Sequence, residues 1–430
     1  MDTGEEQAKG KGSTMEKQSH VRHWLVVITC CMLMMCSSGA LLNAAGMYYP
    51  AISAEFDCLT SQVTIWLTIC FIMAAIVLLF LGKLFEKYDA RVICSIGVLF
   101  AVIGELIFSS ARDLTTLYIG AVPVGIGFGI MAFIAAATLI NRWFKKRVGF
   151  ALGVAVAFSG IGGVLFNYIG GYVMTVADWH MGFFVNGILI AAFCLPFTIF
   201  AIRSYPSDCG LRMYGETDDE EEEESPALYG ISAKKALRSL TFYLCILFVI
   251  GGVFGLNCYQ FLPKYALTLP VAQGSLTFAA TLASSAMIGQ MIGKIVLGAI
   301  ADKSLKASII ISNVCGIIGV LLMGFVGGSI PILLAGGFIF GFFYSALNVI
   351  SPLLVRAAFG TKDYAIIFSR VSVLNAFISA FAVTILAMVV DFAGFRALFI
   401  LTMIICVFMT VVALIIVARR FNPDKGVIED

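Results

Sequence analysis

Two cations lie inside apolar runs. Lys294 interrupts the run from Ser275 to Ala301, and Arg370 interrupts the run 365–390. A charge at membrane depth costs about 2.5–3.5 kcal/mol on insertion scales and marks a functional site by default. No acid accompanies either cation within its own run. Two such cations repel each other unless an anion sits between them. An Arg grips a carboxylate with a bidentate fork, and a Lys attracts it as a point charge. The chemistry implied is binding of a small carboxylate. The competing reading has both side chains snorkelling to the headgroups.

Polar residues at helical spacing accompany the cations. Gln290 is one turn before Lys294 and shares its face. Tyr344, Asn348 and Ser351 form a stripe at i, i+4, i+7; Asn257, Gln260 and Lys264 form another; Asn43 is the main polar residue of the first run. Such residues either line a solute path or only bond neighbouring helices. The candidate substrate residues are Lys294, Arg370, Gln290, Tyr344 and Asn348. Glu105 is the one carboxylate well inside a run. It suits either proton coupling or a structural, interfacial place. Gly160, Gly163, Asn167 and Gly171 share one face, as close helix packing requires. Trp66, Tyr48 and Tyr118 read as an interfacial belt. Catalysis is not expected: the three His (His20, His23, His180) lie outside the runs, and no nucleophile–base pattern, metal set or cofactor motif is present.

The elements that position these residues are long apolar runs. Of 430 residues, 60% are hydrophobic and 13% charged, against about a quarter charged in soluble domains. A span needs about 20 mainly apolar residues. Twelve runs qualify: 24–47, 61–81, 91–110, 115–140, 149–174, 181–202, 240–262, 275–301, 307–327, 330–355, 365–390 and 395–418. The fold class is an all-α polytopic membrane protein. With both termini cytoplasmic, the outer loops hold only Arg112, Lys264 and Arg396, and the other loop Lys and Arg fall inside. The expected layout is a cytoplasmic tail 1–23, a six-helix bundle 24–202, an acidic linker 203–239, a second bundle 240–418 and a tail 419–430. The linker contains DDEEEEE at 218–224, a block read as solvated. The 12 Cys form no C-x-x-C pair and read as small core hydrophobes.

The eighth run heads inward and the eleventh outward, and Lys294 lies eight residues before Asp302, about 12 Å along its helix. Arg370 lies seven residues after Asp363, about 10 Å along its own helix, so the two sit at similar depth.

Gly82-x-x-x-Glu86-Lys87 recurs half a chain later as Gly298-x-x-x-Asp302-Lys303. These loops, GKLFEKYDAR at 82–91 and GAIADKSLK at 298–306, resemble the signature loop of the major facilitator superfamily. NRWFKKRVGFALG at 141–153 resembles the loop after the fourth helix in the oxalate–formate antiporter family and the related monocarboxylate transporters. The resemblance implies alternating access between two bundles, with a basic residue on the eighth helix and another on the eleventh serving the anion. Lys294 matches the first and Arg370 the second to within one residue. It also implies a cytoplasmic gate of Glu86, Arg91, Arg142 and Asp302. Gly293-Lys294 stands where monocarboxylate transporters carry Asp-Arg. The expected function is exchange of a mono- or dicarboxylate across the plasma (inner) membrane by a monomer, with lipid and a small-molecule carboxylate as partners and no nucleic acid. The alternatives are an exporter of amphipathic solutes, supported by 36 Phe and 17 Met, and a proton-coupled monocarboxylate symporter.

Overall fold

The computed structural model describes residues 21–215, 230–419, 421–422 and 427–428. Apolar length builds it from spans: α1 Val21–Glu55, α2 Thr60–Lys87, α3 Ala90–Ser109, α4 Leu114–Trp143, α5 Val148–Val176, α6 Trp179–Ala201, α7 Leu240–Thr268, α8 Leu276–Lys303, α9 Leu305–Val326 and α10 Ile330–Phe359. The last apolar segment, Ile366–Ala418, turns back at Gly394, whose φ of 78° breaks the helix. It therefore supplies two spans, α11 (364–393) and α12 (395–418). Twelve spans result. A two-residue hairpin, Phe421–Asn422 with Val427–Ile428, follows.

The spans start where short polar side chains can bond free backbone N–H groups. Asp89, Asp113 and Asp178 cap α3, α4 and α6; Ser239, Ser275 and Ser304 cap α7, α8 and α9. The two recurring glycine–acid–lysine loops thus both end in a cap, Asp89 in the first and Ser304 in the second. This explains an Asp at position 89.

Helices α1–α6 and α7–α12 form two halves, which meet broadly along α5 with α8 and α2 with α11. The α5–α8 seam shows how they are tilted. A Cβ added at Gly171 would lie 2.7 Å from Ala280, one at Gly163 2.6 Å from Met287, and one at Gly160 2.9 Å from Met291. Two further turns along, a Cβ at Gly153, Gly149 or Gly298 would meet nothing within 4 Å. The halves are closed at one face and parted at the face that carries most Lys and Arg, here called the basic face.

The segment between the halves is not a bare tether. Its first part is held by the first half: Tyr214 pairs with Phe144, and its N–H bonds the Trp143 carbonyl at 2.8 Å. Its last part is held by the second half through Gly230 with Gly360 and the Ala233 N–H on Asp363 at 2.7 Å. The acidic block 218–224 lies outside the described residues.

Candidate functional site

Two of the long helices change pitch near their centres. Helix α1 widens into a π-helix over Met35–Asn43 and resumes at Ala45–Glu55. Helix α7 passes through a 3-10 turn at Cys258–Phe261, just before Pro263, which cannot donate a helical hydrogen bond. These irregular turns carry Asn43 and Tyr259 to the middle of the molecule. Wide helical turns of this kind concentrate at functional sites.

There, one hydrogen-bonded chain crosses both halves. Lys294 Nζ of α8 donates to Ser159 Oγ of α5 at 2.7 Å and approaches the Val156 carbonyl at 3.4 Å. The Ser159 hydroxyl in turn donates a hydrogen bond to that carbonyl at 2.7 Å. Asn43 Nδ2 of α1 donates to the Ser159 carbonyl at 3.3 Å, and Tyr344 of α10 donates to Asn43 Oδ1 at 2.9 Å. Tyr259 packs edge-on against Tyr344 at 5.5 Å, and its hydroxyl accepts from Asn167 at 2.7 Å. Gln290 is 3% exposed and leaves its Oε1 without a hydrogen bond. Every described polar partner of Lys294 is a neutral oxygen. The ammonium is thus held in place without being neutralised.

Arg370 is exposed and, among the described residues, has no hydrogen bond or ion pair. Its facing follows from its own helix. Residues 370, 377, 384 and 391 recur every seven positions and so share one face of α11. On that face Thr384 bonds Thr64 and Thr68 of α2 at 3.3 and 3.0 Å, and Asp391 accepts from the Ser61 N–H at 2.8 Å. Arg370 therefore stands at the parted end of the seam between the halves. Asn348 is also exposed, one turn beyond Tyr344 toward the basic face, and has no described hydrogen bond.

Of the five residues expected to hold substrate, the structure gathers Lys294, Gln290 and Tyr344 at the centre and leaves Arg370 and Asn348 nearer the open end. Sequence reasoning missed Ser159, which hid among small packing residues. It did not single out Tyr259, and it named Asn43 only as the main polar residue of the first run. The signal that could have found them is the helix irregularity around each.

The four expected gate residues are not brought together in this form. Arg91 pairs with Asp89 at 3.4 Å. Arg142 donates to the Phe85 carbonyl at 3.1 Å and lies over Tyr205, 4.5 Å from the ring centre. Glu86 and Asp302 are exposed. What is bolted is the opposite face. Lys264 reaches Asp391 Oδ1 at 3.4 Å and also bonds Thr60 Oγ1. Gln260 donates to the Leu42 carbonyl at 3.1 Å.

One expectation needs correction. Trp66 and Tyr48 are buried at 1% and 0% exposure, so they are core residues rather than an interfacial belt. Glu105 is equally buried and faces neighbouring helices of the first half, within the structural alternative open to it from sequence. A cavity of about 490 Å³ on the closed face, lined by Glu55, Ser109, Ser110, Arg112 and His180, involves neither α8 nor α11, which carry Lys294 and Arg370.

Comparison with known proteins agrees with this architecture. The chain is 27% identical over 165 residues to the riboflavin transporter RibZ of Clostridioides difficile, a match covering 38% of this chain and only 36% of that protein. It is 25% identical over 362 residues to monocarboxylate transporter 12 of Xenopus laevis, covering 78% of this chain and 77% of that one. In structure it resembles a bacterial homologue of the human lysosomal transporter Spinster, with a TM-score of 0.68 and 14% identity over 94% of this chain and 99% of that one. The Major Facilitator Superfamily profile matches residues 29–272 and 265–429. With matches across nearly its whole length, the chain belongs to the major facilitator superfamily and is a multi-pass membrane transporter.

Proposed function

We propose that this transporter moves a small organic anion, a mono- or dicarboxylate, by alternating access and as an exchanger. The observation that carries the reading is the state of Lys294: half-buried at the junction of the halves and bonded only to neutral oxygens. A carboxylate arriving there supplies the missing negative charge. Arg370, on the open side of the same seam, offers a first point of attraction and a bidentate grip. Support also comes from the likeness to a monocarboxylate transporter. The basic face is the cytoplasmic one, by the distribution of Lys and Arg, which puts both termini inside. Glu86, Arg91, Arg142 and Asp302 then meet only when that face closes. The chain acts as a monomer in the plasma (inner) membrane.

An empty carrier would have to occlude bare positive charge, whereas a loaded one carries that charge halved by a monocarboxylate or neutralised by a dicarboxylate. This favours exchange over net flux. The deciding experiment is uptake of labelled oxalate or lactate by purified protein in liposomes, with and without carboxylate inside. Uptake that requires internal carboxylate supports exchange; no uptake of any carboxylate overturns the reading.

A second reading has its own observation. Val373, Phe377 and Phe381 are exposed on α11 beside Arg370, an apolar lining that suits a larger amphipathic solute. The partial match to a riboflavin transporter points the same way. Competition by riboflavin in the same liposomes separates the two.

A further inference from the structure

Glu105 is a carboxylate that the central site does not use. It lies on α3, four residues before the end at Ser109, about 6 Å along the helix from the closed face. Its residue is 1% exposed. Tyr48 of α1, Cys70 of α2 and Asn186 of α6 face it. Cys70 donates to the Ala121 carbonyl of α4 at 3.2 Å, and Asn186, whose side-chain amide lies within reach of Glu105, donates through Nδ2 to the Tyr48 hydroxyl at 3.2 Å. Phe183 stacks on Tyr48 at 4.3 Å, and Phe108 and Trp66 continue that aromatic row. Glu105 Oε2, Asn186 Oδ1 and the Tyr49 hydroxyl have no hydrogen bond. The titratable groups from neighbouring helices are Tyr48 and Tyr49 on α1 and Cys70 on α2; α6 offers a neutral amide, and no described cation pairs with the acid.

A buried carboxylate with a bare oxygen and no cation is costly, and a bound proton removes the cost while making that oxygen a donor. The position also has a lever. Helix α1 delivers Asn43 to the Lys294–Ser159–Tyr344 chain and, five residues later, Tyr48 to the Glu105 cluster. The π-helix and the break at Ala44 lie at and beside that stretch.

We propose that Glu105 is a proton-binding site of the transport cycle, occupied in the form open to the basic face and exchanging its proton with the opposite face. The proton adds to the carboxylate and leaves it as such, with no other bond made or broken. Helix α1 transmits occupancy to the central network. The inference does not depend on which solute is carried.

The test uses the full chain in liposomes and needs no substrate. Infrared spectra at neutral pH should contain the carbonyl stretch of a protonated carboxylic acid, lost in Glu105→Gln. Spin labels at positions 149 and 298, where a side chain has open space, report the separation of the halves at the basic face. As pH rises, that separation should shorten in the wild type and stay fixed in Glu105→Gln, which is permanently neutral. His180 and Glu55, 3.2 Å apart, are the same in both proteins, so the comparison isolates Glu105. Absence of the carboxylic acid band from the wild type, or an identical pH response in the two proteins, overturns the proposal. The wild-type spectrum decides even if the variant misfolds.

Discussion

The bond between Lys294 and Ser159 gives the sharpest test of the central site. Replacing Ser159 by Ala keeps the cation and removes one hydroxyl, 2.7 Å from Nζ. Replacing Lys294 by Met keeps the length of the side chain and removes the charge. A hydrogen bond to a charged group contributes about 1.5–3 kcal/mol. Ser159→Ala should therefore shift the balance of forms away from the one open to the basic face by ~10- to ~100-fold, at about 1.4 kcal/mol per tenfold. Carboxylate binding should survive, because the ammonium has then lost only a competitor. Truncating one partner of a buried charge pair costs about 2–5 kcal/mol, so Lys294→Met should weaken carboxylate binding by ~30- to ~5,000-fold. The assay is oxalate and lactate counterflow in liposomes, paired with spin-label distances across the basic face. If Lys294→Met carries carboxylates like the wild type, the ammonium is not the anion's partner. If Ser159→Ala loses carboxylate binding as fully as Lys294→Met, the hydroxyl holds cargo and is no mere placeholder.

Arg370→Gln should abolish carboxylate uptake while leaving the melting temperature unchanged, because the guanidinium has no described protein partner to lose. Arg370→Lys should retain part of the uptake, since charge survives and the bidentate fork does not; equal loss in both would mean that geometry alone matters. Gly163→Val places a side chain against Met287 of α8, 2.6 Å from where its Cβ would stand, and should drive the halves apart on the closed side. Spin-label distances across that closed face should lengthen in the variant, and an unchanged distance would show that α8 can give way.

The fold was legible because its cause is local. Each span is long enough and apolar enough by itself, and the half-chain repeat of Gly82–Lys87 and Gly298–Lys303 announces two related halves. Lys294 was legible for the same reason: its cost can be read from one helix. What stayed hidden depends on partners from other helices. Ser159 looks like one more small residue between Val156 and Gly160 until α8 is placed beside it. Asp391 looks like an ordinary acid at a span's end until Lys264 of α7 and the start of α2 close around it. Glu105 reads alike whether it faces lipid or protein, because periodicity fixes its face relative to α3 and not relative to α1 and α6. The breaks at Ala44 and Cys258 follow no hydropathy pattern, yet they carry Asn43 and Tyr259 into the site.

The two faces are held by unequal means, and this bears on how cargo drives the cycle. On the closed face Asp391, its side chain 5% exposed, is shared between Lys264 of its own half and the Ser61 N–H of the other. That acid's charge is matched whether or not Ser61 stays, so only one hydrogen bond of about 1.5–3 kcal/mol ties it across the seam. At the centre, Lys294 spends its cross-seam bond on a neutral hydroxyl. A carboxylate entering from the basic face competes for the same ammonium with bonds roughly twice as strong. It displaces Ser159 and so releases the α5–α8 tether at the centre of the seam. On the closed face, the charged bond still opposing rocking is the cross-seam part of the Asp391 bolt, beside the neutral Gln260–Leu42 and Thr384–Thr64 bonds and the Lys264–Thr60 bond. Asp391→Asn should therefore mimic cargo: it discards the ion pair with Lys264, weakens acceptance from Ser61, and should populate the form open to the opposite face without any anion. Measured as an increase in labelling of a cysteine placed at Thr64, the change should appear in carboxylate-free liposomes and should not grow further when oxalate is added. Labelling of the Asn variant that still depends on oxalate would place the controlling bond elsewhere than the Asp391 bolt.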